Sequence, residues 1–192
     1  MLDPFLASGL AVLWVLLPTY VANALATLPR GWGAALDLGR IWKRDGRRIL
    51  GPSKTWSGFL TGSLLAMPVG LLEAWLILLA PPNLALVPKL AVSVLAAVPV
   101  VALLTFGAMT GDAVGSFIKR RFGRDSGSRT FLLDQMPFVL LPIALGLLLF
   151  PGLFDSVFLR WEAVIWLLAY TLGLHAAFNW VGYWAGLKKV PW

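Results

Sequence analysis

The stretch Gly111-Asp112-Ala113-Val114-Gly115-Ser116-Phe117-Ile118-Lys119-Arg120-Arg121-Phe122-Gly123-Arg124-Asp125-Ser126-Gly127 follows directly on a long apolar run, Leu84 to Phe106. That junction decides how the chain is read. A run of about 20 apolar residues can cross a bilayer, and here it delivers a dense polar segment to one membrane surface. With Asp134 just beyond, the segment holds two acids, Asp112 and Asp134, whose oxygens suit a hard divalent cation. Between them lie Lys119, Arg120, Arg121, Arg124 and Arg129, side chains able to grip phosphates. Anionic oxygens on a divalent metal, held by basic side chains, are the recurring apparatus of phosphoryl and nucleotidyl transfer.

Composition sets the frame around this segment. Of 192 residues 59% are hydrophobic, and the mean hydropathy is +0.81. That is too apolar for a soluble domain of this size and predicts an all-α, polytopic integral membrane protein. There are 16 Lys and Arg against 9 Asp and Glu. In a membrane chain such an excess first sets topology, so a nucleic-acid partner is not expected, and no protein partner is evident. The absence of cysteine excludes disulfides, thiolate metal sites and cysteine catalysis. A single histidine leaves no His-rich metal site. The N-terminus, Met-Leu-Asp-Pro, has no basic segment, so the first apolar run is read as a span and not as a cleaved signal.

Five spans are predicted, at about 4–28, 57–80, 84–106, 137–154 and 161–187, within one membrane-embedded domain covering 1–192. The fourth is short and holds Pro142 and Pro151, so it starts earlier, near Leu132, or is kinked. The segments at about 29–56 and 107–136, with the tail after the last span, carry fourteen of the sixteen basic residues. Lys89 and Arg160 lie at the opposite ends. The positive-inside rule then puts the N-terminus outside, these segments in the cytoplasm, and the C-terminus inside. Pro81-Pro82-Asn83 reads as a tight outer turn. The ten tryptophans mostly flank span ends, as an interfacial aromatic belt does.

The first cytoplasmic loop ends Gly51-Pro52-Ser53-Lys54-Thr55-Trp56-Ser57-Gly58. Gly51-Pro52 makes a turn, and Lys54, Thr55 and Ser57 open the second span. Backbone N–H groups at a helix start, beside hydroxyls and one lysine, form an anion site. It is not a Walker A loop, which needs Gly where Arg48 and Ser53 stand. Taken alone, a charged turn anchoring a helix at the headgroups explains it equally well. Inside the spans, Asn23 either faces the polar site or bonds a neighbouring helix. Glu73 is read as snorkelling to the outer surface. His175 and Asn179, four apart, share one helix face and suit interhelical hydrogen bonding, with a ligand role for Asn179 as the other reading.

Two segments together become specific. Pro52-Ser53-Lys54-Thr55-Trp56-Ser57-Gly58-Phe59 resembles the Pro-Gly-Lys-Thr-Trp-Gln-Gly-Phe stretch of CDP-diacylglycerol synthases. Gly111-Asp112…Ser116-Phe117-Ile118-Lys119-Arg120…Arg124-Asp125-Ser126-Gly127 resembles that family's signature, Gly-Asp…Ser-x-x-Lys-Arg…Lys-Asp-Ser-Gly. Small size, Tyr20-Val21-Ala22-Asn23, Asp45-Gly46-Arg47-Arg48 and the ending Gly186-Leu187-Lys188-Lys189-Val190-Pro191-Trp192 look like the archaeal branch, the CDP-archaeol synthases. The family's bacterial signature continues Pro-Gly-His-Gly-Gly and ends Asp-Arg-x-Asp. Here Ser128 to Pro137 keeps only one of the two terminal acids, Asp134.

The resemblance implies transfer of CMP from CTP to a lipid phosphate in the membrane, digeranylgeranylglyceryl phosphate, with Mg²⁺, giving CDP-archaeol and pyrophosphate. On that reading Asp112 and Asp134 hold the metal, and Lys119 and Arg120 hold the β- and γ-phosphates or the lipid phosphate. Gly51, Pro52, Ser53, Lys54, Thr55 and Ser57 hold the nucleotide from the first loop, with Asn23, Ser116 and Arg124 at its edge. Asp125 is read as an ion-pair partner orienting Arg120, or else as a third metal ligand. The alternatives are a CDP-diacylglycerol-type synthase acting on another lipid phosphate, and a small anion-binding transporter. The span centres are nearly uncharged, which argues against the transporter.

Overall fold

The computed structural model describes residues 2–81, 86–125 and 130–186, without the side chains of Phe131, Leu132 and His175. Several expectations fall outside these residues. They are Pro82 and Asn83 of the outer turn, the start of the third expected span, Ser126, Gly127 and Arg129, the His175 side chain, and the tail from Leu187 with Lys188 and Lys189.

The described elements are all helices, joined by loops, in the order α1 (Pro4–Leu25), α2 (Trp56–Leu79), α3 (Val94–Arg121), α4 (Phe131–Gln135), α5 (Pro137–Leu149), α6 (Pro151–Phe158) and α7 (Trp161–Trp184). Four of these, α1, α2, α3 and α7, are long and apolar enough to cross a membrane. Each start has a local cause. The Asp3 carboxylate accepts the Phe5 and Leu6 N–H groups, and Pro4 follows at the first helical position. The Thr55 hydroxyl caps α2 through the Gly58 N–H, and Ser93 caps α3 through that of Ala96.

The third and fourth expected spans are corrected. The third begins ten residues later than predicted, because Ser93 caps it and Pro88 stands where the apolar run begins. It also continues through the polar segment to Arg121. Its 28 residues rise about 42 Å, more than a hydrocarbon core of about 30 Å. Its last turns therefore project, and what was expected as a loop from 107 is helix as far as 121. The fourth span is a broken helix. Phe150, at φ −135° and ψ 54°, separates the 13-residue α5 from α6, which Pro151 opens, and the Phe154 ring sits so close over Gly146 that a side chain there would collide with it.

The core lies where α3 packs against α1, α2 and α5. Leu16, Tyr20, Val101, Leu104, Phe138 and Val139 are fully buried there. Glycines set the closest approaches. Gly62 on α2 lies against the Ala22 carbonyl and Met109. On α3, Gly107 meets Pro142, while Gly111 and Gly115 meet Pro137 of α5. These three glycines recur every four residues, so they form one stripe that lets the start of α5 lie on the α3 backbone.

Candidate functional site

The polar segment is one face of a helix. Asp112, Ser116, Lys119 and Arg120 stand at i, i+4, i+7 and i+8 on α3, so their side chains emerge on one side. The adjoining glycine stripe faces α5. A Schellman turn stops the helix: Gly123 adopts φ 72°, its N–H reaches the Arg120 carbonyl at 3.1 Å, and the Arg124 N–H reaches that of Lys119 at 3.0 Å.

The segment between α1 and α2 folds onto this face. Residues 34–36 pair with 54–56, through Leu36 N–H to the Lys54 carbonyl at 2.8 Å and Trp56 N–H to the Ala34 carbonyl at 2.9 Å. Residues 41–48 form a small hairpin turning at Gly46, φ 67°. Its anchor is Asp37. The Asp37 carboxylate takes Arg48 Nε at 3.0 Å and Nη2 at 2.9 Å, Leu50 N–H at 2.9 Å and Gly39 N–H at 3.0 Å. Burial alone would raise its pKa, but Arg48 and the two backbone donors outweigh that and hold it down at about 2. The same pairing raises the pKa of Arg48.

Arg121 fastens the hairpin to α3. Its guanidinium lies 4.8 Å from the Phe117 ring centre and 5.7 Å from that of Trp42. It donates to the Arg48 carbonyl at 2.7 Å and pairs with Asp45 at 3.3 Å. Beside it, Trp42 meets Phe117 edge-on at 5.4 Å. Arg121 therefore holds protein, and the expectation that it holds phosphate is revised. Neither this clamp nor the Asp37–Arg48 lock was assigned from the sequence. The Asp45-Gly46 pair, a hairpin-turn signal, was the available clue.

Two lysine–carboxylate pairs result. Lys54 Nζ lies 2.5 Å from Asp112 Oδ2, which joins the start of α2 to α3. Lys119 Nζ lies 2.5 Å from Asp134 Oδ1, which joins α3 to α4, and the other Asp134 oxygen takes the Thr130 N–H at 2.7 Å. Gly51 N–H donates to Ser116 Oγ at 3.3 Å, closing the loop on the same face. Asp112 and Lys119, seven residues apart, are separated by roughly 10 Å of helix rise. Among the described residues no three His, Asp or Glu side chains converge as a ready metal cluster. The Asp112 and Asp134 side chains are about three-tenths exposed and each already faces a lysine ammonium, and carboxylate oxygens suit a hard cation.

The remaining candidates divide. Pro52, Ser53 and Arg124 are exposed at the rim of the face. The Thr55 hydroxyl is spent on capping α2 and the Ser57 hydroxyl on the Trp32 carbonyl, so both serve the loop. Arg120 is buried and donates to the Asp125 backbone carbonyl at 3.1 Å, so the expected orienting contact runs through the main chain. Asn23 is half-buried on α1, one turn beyond Tyr20, whose ring meets Phe138 of α5. Asn179 is buried in α7. Glu73 is corrected outright. It is 4% exposed and neither carboxylate oxygen has a hydrogen-bond partner, so it does not snorkel. It stands on the face of α2 that also buries Gly70 and Ala74.

Residues 5–192 match the family model for CarS-like CDP-archaeol synthases. The chain belongs to the CDP-archaeol synthase family. Among its relatives, the CDP-archaeol synthase of Thermococcus kodakarensis is 37% identical over 98% of this chain and 99% of its own length. That of Methanospirillum hungatei is 40% identical over 92% of this chain and the whole of the relative. A solved structure, described as an intramembrane enzyme for archaeal membrane lipids biosynthesis, is 32% identical. It covers 85% of this chain and 92% of that one, with a TM-score of 0.57. Membership makes the chain a multi-pass membrane nucleotidyltransferase, which sets the transporter reading aside.

Proposed function

We propose that this enzyme transfers CMP from CTP to digeranylgeranylglyceryl phosphate at the cytoplasmic membrane surface, with Mg²⁺, producing CDP-archaeol and pyrophosphate. The observation that carries the proposal is the α3 face. There, two carboxylates, two lysines and Arg120 gather beside a glycine turn, at the end of a helix whose other half is apolar. Curated relatives of nearly full length named for this product support it.

The chemistry needs no general base. A lipid phosphate monoester has a second pKa near 6, so it is largely dianionic at neutral pH. Its oxygen attacks the α-phosphorus of CTP, the bond between the α-phosphorus and the bridging oxygen breaks, and pyrophosphate leaves with that electron pair. The protein must place two anions in line and neutralise their charge. Asp112 and Asp134 would hold Mg²⁺, which supplies charge neutralisation on the triphosphate oxygens. Lys54, beside the turn from Gly51 to Ser53, would bind the nucleotide phosphates from the first loop. Lys119 and Arg120 would bind the β- and γ-phosphates or the lipid phosphate, and Asn23 borders the site from α1. The lipid chains would lie along the apolar part of the bundle.

Incorporation of radiolabelled CTP into lipid by purified enzyme in detergent tests this. An isoprenoid ether phosphate should give labelled CDP-lipid faster than a diacylglycerol phosphate. Preference for the acyl substrate would favour the CDP-diacylglycerol-type reading, and no incorporation with either would overturn the proposal. For orientation, the chain's lack of cysteine allows single-site labelling. A cysteine at exposed Val92 should react from outside intact cells and one at Arg44 should not. The reverse pattern would place the site on the wrong side.

A further inference from the structure

The first turns of α1 hold a polar group that nothing satisfies. Ser8 is 7% exposed, and its hydroxyl has no hydrogen-bond partner among the described residues. Buried hydroxyls are ordinarily paired, in a helix often with a carbonyl one turn back. Ser8 lines a cavity of about 160 Å³ between α1 and α6, together with Ala11, Ser156, Val157 and Arg160. One water needs roughly 10–15 Å³ of such space, so the cavity has room for a much larger group. It lies far from the α3 cluster. The other end of α1 meets the start of α2, where the Ala26 carbonyl abuts Gly58, and the 22 residues of α1 rise about 33 Å between the two ends.

The polar groups at the cavity are of two kinds. Arg160 is a donor with capacity to spare: among the described residues its side chain makes one long hydrogen bond, 3.4 Å to Glu162. It is also one of the two basic residues that stand apart from the basic segments. Arg160 opens α7, whose start has no side-chain cap, so the N–H groups of that first turn add to the donors. Ser156, by contrast, gives its proton to the Leu153 carbonyl at 2.7 Å, so toward a ligand it accepts. Exposed acids adjoin the cavity in the chain: Asp3 precedes Pro4, and Asp155 precedes Ser156.

We propose that this cavity binds a zwitterionic phospholipid, with a phosphodiester and an amine in its headgroup. The charge balance selects that class. Asp3, Asp155 and Glu162 surround a single arginine, so a dianionic phosphate monoester is opposed, whereas a diester brings one negative charge and its amine answers the acids. The phosphodiester goes to Arg160, the first turn of α7 and Ser8. The ammonium goes to Ser156 and the neighbouring carboxylates, and the hydrocarbon chains follow the apolar wall at Ala11 and Val157. This site is separate from the one proposed on α3 and does not depend on it.

Native mass spectrometry of the purified, delipidated enzyme in detergent tests the proposal, by titration with a dialkyl phosphoethanolamine lipid. Wild type should bind one tight equivalent. Arg160→Ala should weaken it by roughly tenfold or more and Ser8→Ala by roughly threefold. Arg160→Lys, which keeps the charge without the planar fork, should fall between wild type and Arg160→Ala. Ala11→Leu fills the cavity and should remove the equivalent. A phosphoglycerol lipid, a diester without the amine, should bind at least roughly tenfold more weakly than the phosphoethanolamine lipid, and inorganic phosphate should not compete. Thermal melts identify any variant that fails to fold, and Arg160→Gln or Ala11→Val then takes its place.

A wild type that retains no lipid overturns the proposal. So does equal retention by the folded Arg160 and Ala11 variants, which would mean lipid held elsewhere on the bundle. Equal or tighter binding of the phosphoglycerol lipid would refute the zwitterion, and competition by inorganic phosphate would make the cavity a free-phosphate site; either result overturns the proposal as well.

Discussion

The polar cluster at the end of α3 contains two kinds of ion pair, and Asp37 and Asp112 show the contrast between them. Asp37 is saturated: two guanidinium nitrogens of Arg48 and two backbone N–H groups converge on a side chain that is 1% exposed. Asp45, with a side chain 30% exposed, takes the Arg47 N–H while pairing with Arg121, which is also stacked on rings. Asp112 instead holds a single lysine, and its side chain is 28% exposed. Arginine's planar fork builds fixed architecture, while lysine's mobile point charge leaves carboxylate capacity open. The arginine pairs thus shape the loop that lies on α3, and the lysine pairs are the ones proposed for the site.

The sharpest break in that contrast comes from the lysine-paired acids. Asp112→Asn and Asp134→Asn should each reduce turnover by roughly 10²–10³-fold. The double variant should be scarcely worse, because the two act as one unit. Stabilisation by CTP with Mg²⁺, read in thermal melts, should vanish in both singles. If Asp134→Asn keeps turnover and stabilisation, Asp134 belongs with the architecture, and Asp112 with Asp125 becomes the pair to test.

The next effect concerns stability. Asp37→Asn should cost about 2 kcal/mol at neutral pH, since the folded carboxyl is held at about 2 against an ordinary 3.8. A depressed pKa gives stability that is complete above the ordinary value and is lost as pH falls through the folded one. The gap in melting temperature between wild type and variant should therefore be constant above about pH 4 and close between pH 4 and 2. A gap independent of pH would mean that Asp37 acts through shape alone.

Smaller still, Arg121→Gln should raise the KM for CTP by roughly tenfold with kcat within about threefold. It loosens the hairpin without touching substrate. In a Lys54→Ala background the same change should add little, whereas a direct phosphate ligand would add its full effect. Arg121→Lys keeps charge but loses the planar stacking, and should fall between. The smallest effect belongs to Glu73→Gln. Glu73 is buried far from the cluster and its carboxylate has no partner, so turnover should stay within about twofold and the melting temperature should not fall. A large loss of turnover would make the half of the bundle away from the cluster part of the reaction path.

Much of this was legible in the chain because it is one-dimensional. The starts of α1 and α2 were read within a residue of where Asp3 and Thr55 cap them, the Ser93 cap of α3 was passed over for the apolar residues before it, and membrane location follows from uninterrupted apolar runs. The residue types needed for phosphate and metal follow from the two motifs. The extent of α3 was also present as a spacing: Asp112, Ser116, Lys119 and Arg120 fall on one helical face, although their polarity suggested a loop. Polarity ends a membrane span, but it does not end a helix.

What the sequence by itself determined is therefore the inventory: an apolar bundle, a basic side, and a set of acids and bases at one surface. Only the tertiary structure decided which base belongs to which acid. Lys119, Arg120 and Arg121 are consecutive and chemically alike, yet one meets Asp134, one the Asp125 carbonyl, and one the Trp42 hairpin. A helix turns about 100° per residue, so neighbours in the chain face different partners. Those partners lie 15, 5 and 73 positions away, for Lys119 with Asp134, Arg120 with Asp125 and Arg121 with Arg48. The glycine stripe on α3 and the cap at Thr55 set those encounters through backbone approach, which charge patterning along the chain does not encode.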